Sequence, residues 1–268
     1  MKNYALLVIC MLPIMSAFAQ EDAWDVYIAD YDGKPGSTVL NMSINDRAPI
    51  KTMPFLVVTG LNPKETDDMG FPTKDQYEVQ YPFTDSLDVL VDRLVTSEMV
   101  GIFTSDGERI HYIYVQDTIN LRNALTHFYK AKYPTYTYYL NVRPDVEWKA
   151  YLDFLYPNEF TKEYMGNEKV IMQLKDSGDK LDKERPVDFW AFFKTDADRS
   201  KYIDFVTDNG FEIVKEDKDD KLDLPYSIQF TKIMAINIMD FTNVTLELKK
   251  KATELRGDYD GWESIVVK

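Results

Sequence analysis

Hydrophobic positions along this chain repeat with two periods, and the switches between them mark its elements. Near the N-terminus, residues 24–28 and 37–43 read as strands, separated by the turn formers Asp32-Gly33 and Pro35-Gly36. Residues 53–59 read as a buried strand and 62–72 as a loop. The spacing predicts a helix from Thr73, interrupted near Pro82, where the missing amide and the ring oppose a helix interior. It resumes at Asp85 with Leu87, Leu90, Val91 and Leu94 on one stripe. Residues 99–104 and 108–116 flank Asp106-Gly107, a strong hairpin signal. A further helix carries Leu121, Ala124, Leu125 and Phe128. Residues 135–142 form an aromatic strand. Pro144 then opens a helix with Trp148, Tyr151, Leu152 and Leu155 on one face. This predicts an α+β domain over 20–157.

Residues 158–177 are dense in charge and read as a linker, with enough apolar positions (Tyr164, Met165, Ile171, Met172, Leu174) for part of it to be helical. The pattern then becomes regular over 178–268. Residues 187–194 form a strand. Thr195 caps a helix, with Asp198 three residues on. Residues 211–215 form a strand, 216–223 a charged turn and 225–233 another strand. A long helix over about 240–256 buries Phe241, Val244, Leu248, Ala252 and Leu255. Gly257 is placed to reverse the chain, Asp260-Gly261 to turn it, and Trp262 to open a last strand. The order βαββαβ predicts a ferredoxin-like domain, an antiparallel sheet with helices on one face. On its first strand, Val187, Phe189, Ala191 and Phe193 point one way and Trp190 and Phe192 the other. Helices on one face would leave Trp190 and Phe192 to be covered by the linker, the first domain or a partner.

Composition narrows the function. At 45% hydrophobic residues the chain can build real cores, and its formal charge of −14 opposes a nucleic-acid partner. The one basic run, Lys249-Lys250-Lys251, falls on a helix surface. Residues 1–19 read as a signal peptide: Lys2, an apolar stretch over 5–15 too short to span a bilayer, and a cleavage site at Ala17-Phe18-Ala19. The mature chain is then exported, periplasmic or secreted, begins near Gln20, and is not stably inserted in a membrane. The single cysteine, Cys10, lies in that leader, so the mature chain has neither a disulfide nor a thiolate.

The C-terminal residues carry a family resemblance. Leu255-Arg256-Gly257-Asp258-Tyr259-Asp260-Gly261-Trp262-Glu263-Ser264 resembles the helix end and Y-D-G-W stretch of the RraB family, regulators of ribonuclease E activity. Asp188-Phe189-Trp190-Ala191-Phe192-Phe193 and Asn209-Gly210-Phe211-Glu212 are similar to its first strand and the entry to its second. The resemblance covers about 178–268. It implies a ferredoxin-like fold and a non-catalytic protein that binds another protein. The family's target is cytoplasmic, whereas the leader addresses this chain elsewhere, so the partner expected here is a protein of unspecified identity. The N-terminal part resembles a bacterial domain of unknown function found before RraB-like domains, most clearly at 148–157.

Candidate interaction residues are Trp190, Phe192, Tyr259, Asp260 and Trp262, since aromatic residues dominate interface hot spots. The competing reading packs Trp262 into the core over the helix end carrying Leu248, Ala252 and Leu255, with Tyr259 bracing the turn. Trp190 and Phe192 also fit a base-stacking platform, which the acidic charge opposes. Asp258, Asp260 and Glu263 surround a tight turn and more naturally face water than a cation. The run 217–223 lacks the glycine and distal glutamate of a calcium loop. His111 and His127 stand without any metalloprotease, hydrolase or phosphate-loop motif, so no catalytic residue, metal or cofactor is expected. The alternative function is an envelope enzyme or small-ligand-binding protein built on the aromatic-rich first domain.

Overall fold

The structure, a computed structural model, describes residues 22–268. The expected signal peptide and its expected cleavage site lie outside the described residues. The described residues form two compact units, divided between Tyr156 and Pro157.

In the first unit, β1 (Trp24–Tyr31), β2 (Lys34–Asn41), β3 (Phe55–Leu61), β4 (Ser97–Ser105), β5 (Glu108–Val115) and β6 (Tyr138–Pro144) form one antiparallel sheet in the order β1-β2-β4-β5-β3-β6. The β4–β5 hairpin turns at Asp106-Gly107, both with positive φ, as that pair requires. Helices α1 (Lys74–Leu94) and α2 (Leu121–Lys132) cover one face, where Phe83, Leu87, Val91, Leu125 and Phe128 pack on Val57, Ile113 and Val115. Helix α1 runs through Pro82 without the predicted break. The buried stripe Gln80, Phe83, Leu87, Val91 continues across the proline, and the burial of its three apolar members outweighs the roughly 3 kcal/mol that an interior proline costs. The helix expected from Pro144 is shorter and different: Pro144 ends β6, and Ala150–Leu155 is a π-helical turn. Its segment lies against β-strand residues: Trp148 stacks on Tyr114 at 3.8 Å between ring centroids, and the Tyr151 hydroxyl donates to the Asn41 carbonyl at 2.8 Å.

The second unit is α+β with the ferredoxin-like order. Strands β7 (Arg185–Phe193), β8 (Glu212–Lys218), β9 (Tyr226–Met234) and β10 (Gly257–Ser264) form an antiparallel sheet ordered β10-β7-β9-β8. Helices α4 (Asp196–Asp208) and α5 (Ile238–Glu254) pack on one face, with Tyr202, Val206, Phe241, Leu248 and Ala252 against Val187, Phe189, Ala191 and Phe193. Thr195 caps α4 as its spacing predicts, accepting the Asp198 amide at 3.2 Å.

Two readings are corrected here. Residues 158–177 are not a linker. They form α3 (Glu159–Asp176), capped by the Asn158 side chain, with Ile171 and Leu174 in the same core as α4 and α5. Its charges mark a solvated face and not an absence of structure. Gly257 is not the left-handed residue that ends α5. Arg256 takes that role at φ 57°, and Gly257 already belongs to β10. Its need for glycine is spatial: a Cβ there would meet the Phe193 ring at 2.4 Å and the Phe192 carbonyl at 2.6 Å.

Candidate functional site

The expected interaction residues meet on the β7–β10 pair. The register sets Asp258 opposite Phe192, Tyr259 opposite Ala191, Gly261 opposite Trp190 and Trp262 opposite Phe189. Side chains directly opposite share a face. Tyr259 and Trp262 therefore join the helix side, while Trp190 and Phe192 stand on the other. The five residues are contiguous along two strands but divided between two faces.

Asp260-Gly261 does not turn the chain. It forms a β-bulge, with the register slipping between Tyr259 and Gly261 and Gly261 held at φ 123°. The extra residue returns Trp262 to the helix face. Trp262 stands near the end of β10, not at its start, and does not lie over the C-terminal end of α5. Its ring packs edge-on to Phe241, at the start of that helix, with centroids 4.5 Å apart. Its Nε1–H donates to Asn167 Oδ1 at 2.8 Å, and Asn167 Nδ2 donates to Thr245 Oγ1 at 2.8 Å. Trp262 is half-buried at the core margin, and Tyr259 is buried within it. Burial first, and then the nearby charge of Glu163, pushes the Tyr259 hydroxyl well above its usual range, so it keeps its proton.

Sequence reasoning missed Glu163 and Asn167, both buried on α3. Their signal was present: Glu163, Asn167 and Ile171 recur every fourth residue, one helical stripe through a segment whose charge density hid it.

The opposite face of the sheet is covered by no helix of this unit, because α3, α4 and α5 all contribute to the core on the Phe189 side. Trp190 and Phe192 are half-buried there, beside Ser227, Gln229 and Thr231. Helix α3, one of the expected covers, is on the wrong side to reach them. The register puts Asp188, Asp258, Glu263, Glu212 and Asp217 around this pair, with Lys215 bound to Asp217 at 2.6 Å. The result is an aromatic centre in an acidic rim.

The histidines do not form a site. His111 is fully buried on β5, with Nε2 2.7 Å from Thr84 Oγ1. Burial, then the charge of Arg109, pushes its pKa down to about 3, so it is neutral near pH 7. His127 is exposed on α2. A cleft of about 370 Å³ in the first unit is lined by Asp85, Ser86, Val89, Leu90, Arg93, Phe128 and Lys132, and neither histidine reaches it. Among the described residues, no three His, Cys, Asp or Glu side chains are grouped to hold a metal ion. No helix among them is long and apolar enough to cross a membrane.

The model of a family of unknown function, DUF695, matches residues 22–156, half of the chain and all described residues of its first unit. The chain belongs to the DUF695 family. Behind the DUF695 unit, residues 165–264 match the model of regulator of ribonuclease activity B. That match begins inside α3, before the 178 at which the ferredoxin-like domain was expected to start, and contains the bulged β10. No curated protein matches the chain. A solved structure, that of an unknown protein from Galdieria sulphuraria, aligns over 80% of this DUF695 protein and 99% of its own length, at 11% identity and a TM-score of 0.22. At that score the likeness carries no argument about fold or function.

Proposed function

We propose that this chain is an exported, non-catalytic regulatory protein whose second unit binds another protein. The observation that carries this is the match of residues 165–264 to regulator of ribonuclease activity B. The open face of that unit supports it. Trp190 and Phe192 supply rigid aromatic anchors, and truncating such anchors typically costs an interface about 2 kcal/mol or more. The surrounding carboxylates favour a partner segment that presents basic residues and steer its approach. The leader directs the mature chain out of the cytoplasm, so the partner is an envelope or extracellular protein and not a cytoplasmic ribonuclease.

The test is chemical cross-linking and capture with mature chain from the native host's envelope fraction. Wild-type protein should retain a partner that a Trp190→Ala, Phe192→Ala double variant loses, at unchanged melting temperature. Equal recovery by both forms would sink the face as the docking surface. Intact mass of protein from the host should correspond to a chain starting at Gln20, and a full-length cytoplasmic product would overturn the export reading.

A further inference from the structure

Among the described residues the two sheets end in four edge strands, β1 and β6, β8 and β10. Three of them carry features that hinder a further strand from adding. β6 ends in Arg143-Pro144, β8 has Lys215, Lys218 and a register slip between Ile213 and Lys215, and β10 has its slip between Tyr259 and Gly261. Basic side chains, proline and bulges are the usual protection of an exposed edge. β1 has no lysine, arginine, proline or bulge, and it pairs with β2 without a slip from Trp24 opposite Asn41 to Tyr31 opposite Lys34. Its two carboxylates turn to nearby backbone: Asp25 accepts the Val26 amide and Asp30 the Gly33 amide, both at 2.9 Å.

The turn decides which backbone groups of β1 are left open. Asp32-Gly33, both at positive φ, is a two-residue hairpin loop, so Tyr31 and Lys34 form a hydrogen-bonded pair. Bonded and non-bonded pairs alternate along an antiparallel ladder. Asp25, Tyr27 and Ala29 are therefore bonded to β2, while Trp24, Val26, Ile28 and Asp30 aim their amides and carbonyls outward. The Val26 amide agrees, since it donates to the Asp25 carboxylate beside it. Among the described residues no other backbone takes up these outward groups. The side chains of the same residues share one face of the sheet. Trp24, Val26 and Ile28 are 45%, 50% and 63% exposed there, an apolar row along an open edge.

The pattern is complementary to itself. In an antiparallel copy related by a two-fold axis, outward residues must meet outward residues. Centred on Val26, such a pairing sets Val26 opposite its own copy and Trp24 opposite Ile28, so every apolar residue of the row meets another. On the other face Asp25 stands opposite Tyr27. The like-charged pair, Asp22 with Asp30, falls at the ends of the seam. Centred on Tyr27 instead, the pairing would set Trp24 against Asp30. Directly opposed apolar side chains stabilise a sheet, so the Val26-centred register is favoured.

We propose that β1 is a self-association edge, at which two copies of this chain pair antiparallel about Val26 and join their six-stranded sheets into one. The inference uses the first unit and is independent of the protein-binding reading of the second.

The test is sedimentation velocity of the chain from Gln20 onward over a range of concentrations, at a physiological salt concentration that screens the repulsion between two acidic copies. A monomer–dimer equilibrium is expected, with a dissociation constant on the order of 10 μM for a seam smaller than a standard interface. Val26→Lys sets two ammonium groups opposite each other at an exposed position. It should weaken association roughly tenfold or more at unchanged melting temperature. The register is read by cross-linking. The chain from Gln20 onward contains no cysteine, so Val26→Cys supplies one thiol per copy. A short bis-maleimide should join those thiols across the axis. It should fail with Ile28→Cys, whose copies stand roughly 14 Å apart along the seam. A monomer at every concentration, unchanged association in Val26→Lys, or equal cross-linking at the two positions would each overturn the proposal. So would a dimer that Trp190→Ala, Phe192→Ala abolishes and Val26→Lys leaves intact, because self-association would then run through the other sheet.

Discussion

Asp179 ties three parts of the second unit together. Its carboxylate accepts from the Arg185 guanidinium at the start of β7, from the Leu181 amide at 2.7 Å and from the Val267 amide at 2.7 Å near the C-terminus. Burial raises the cost of its charge, but these three donors outweigh it and hold the pKa at about 2, below the ordinary value of 3.8. A carboxyl depressed in the folded state stabilises it above the unfolded pKa, and that contribution disappears as pH falls through the folded one. Stability of this unit should therefore drop between about pH 4 and pH 2. Denaturant midpoints across that range should fall more steeply for wild type than for Asp179→Asn, which has no proton to take up. Equal slopes would mean that Asp179 does not drive the acid transition. None of this was readable beforehand, since Asp179 lies in a stretch that looks like loop. The Thr195 cap was readable, because donor and acceptor are three residues apart. The Trp262–Asn167 bond was not, because it joins residues 95 apart.

Periodicity carried the elements where one face is buried and the other wet. It placed the β4–β5 hairpin, α2, α4 and α5, and the βαββαβ order. It failed where tertiary burial overrode a local rule, as at Pro82, and where charge obscured a stripe, as in α3. It also misassigned glycines, because sequence shows that a position is glycine but not why. Two of them give opposite predictions for the same substitution. Gly257→Ala drives a methyl group into Phe193 and a backbone carbonyl, and should destabilise the unit by roughly 1–3 kcal/mol, as overpacking does. Gly166→Ala adds its methyl to open space inside a helix, and should stabilise by up to about 1 kcal/mol. Denaturant unfolding of both variants beside wild type decides it. A destabilised Gly166→Ala would mean that α3 tolerates no side chain there.

At the scale of the whole molecule, the two units owe their separate cores to different solutions of the same problem, a sheet that must bury one face. The first unit covers its sheet with α1 and α2 on one side and the 148–155 segment against Tyr114 and its neighbours. The second unit commits all three helices to one side and leaves Trp190 and Phe192 on the other. Half-exposed aromatics on an antiparallel sheet are also what a single-stranded RNA platform uses, so shape alone does not decide between a protein and an RNA partner. Charge does. A stacking platform works together with a basic groove that neutralises phosphates, and affinity rises as counterions are released. Here the aromatic pair is ringed by Asp188, Glu212, Asp217, Asp258 and Glu263, its nearby cation Lys215 is already paired, and the chain as a whole carries −14. Phosphates brought onto that face would meet carboxylates at short range, and stacking worth roughly 1–3 kcal/mol per base would be opposed at every nucleotide. Fluorescence anisotropy with a labelled single-stranded RNA should show no saturable binding to the chain from Gln20 onward at physiological salt. Binding in the micromolar range that weakened steeply with added salt would show a local basic track that the rim argument overlooks, and would move the aromatic face from a protein-docking surface to a nucleic-acid one.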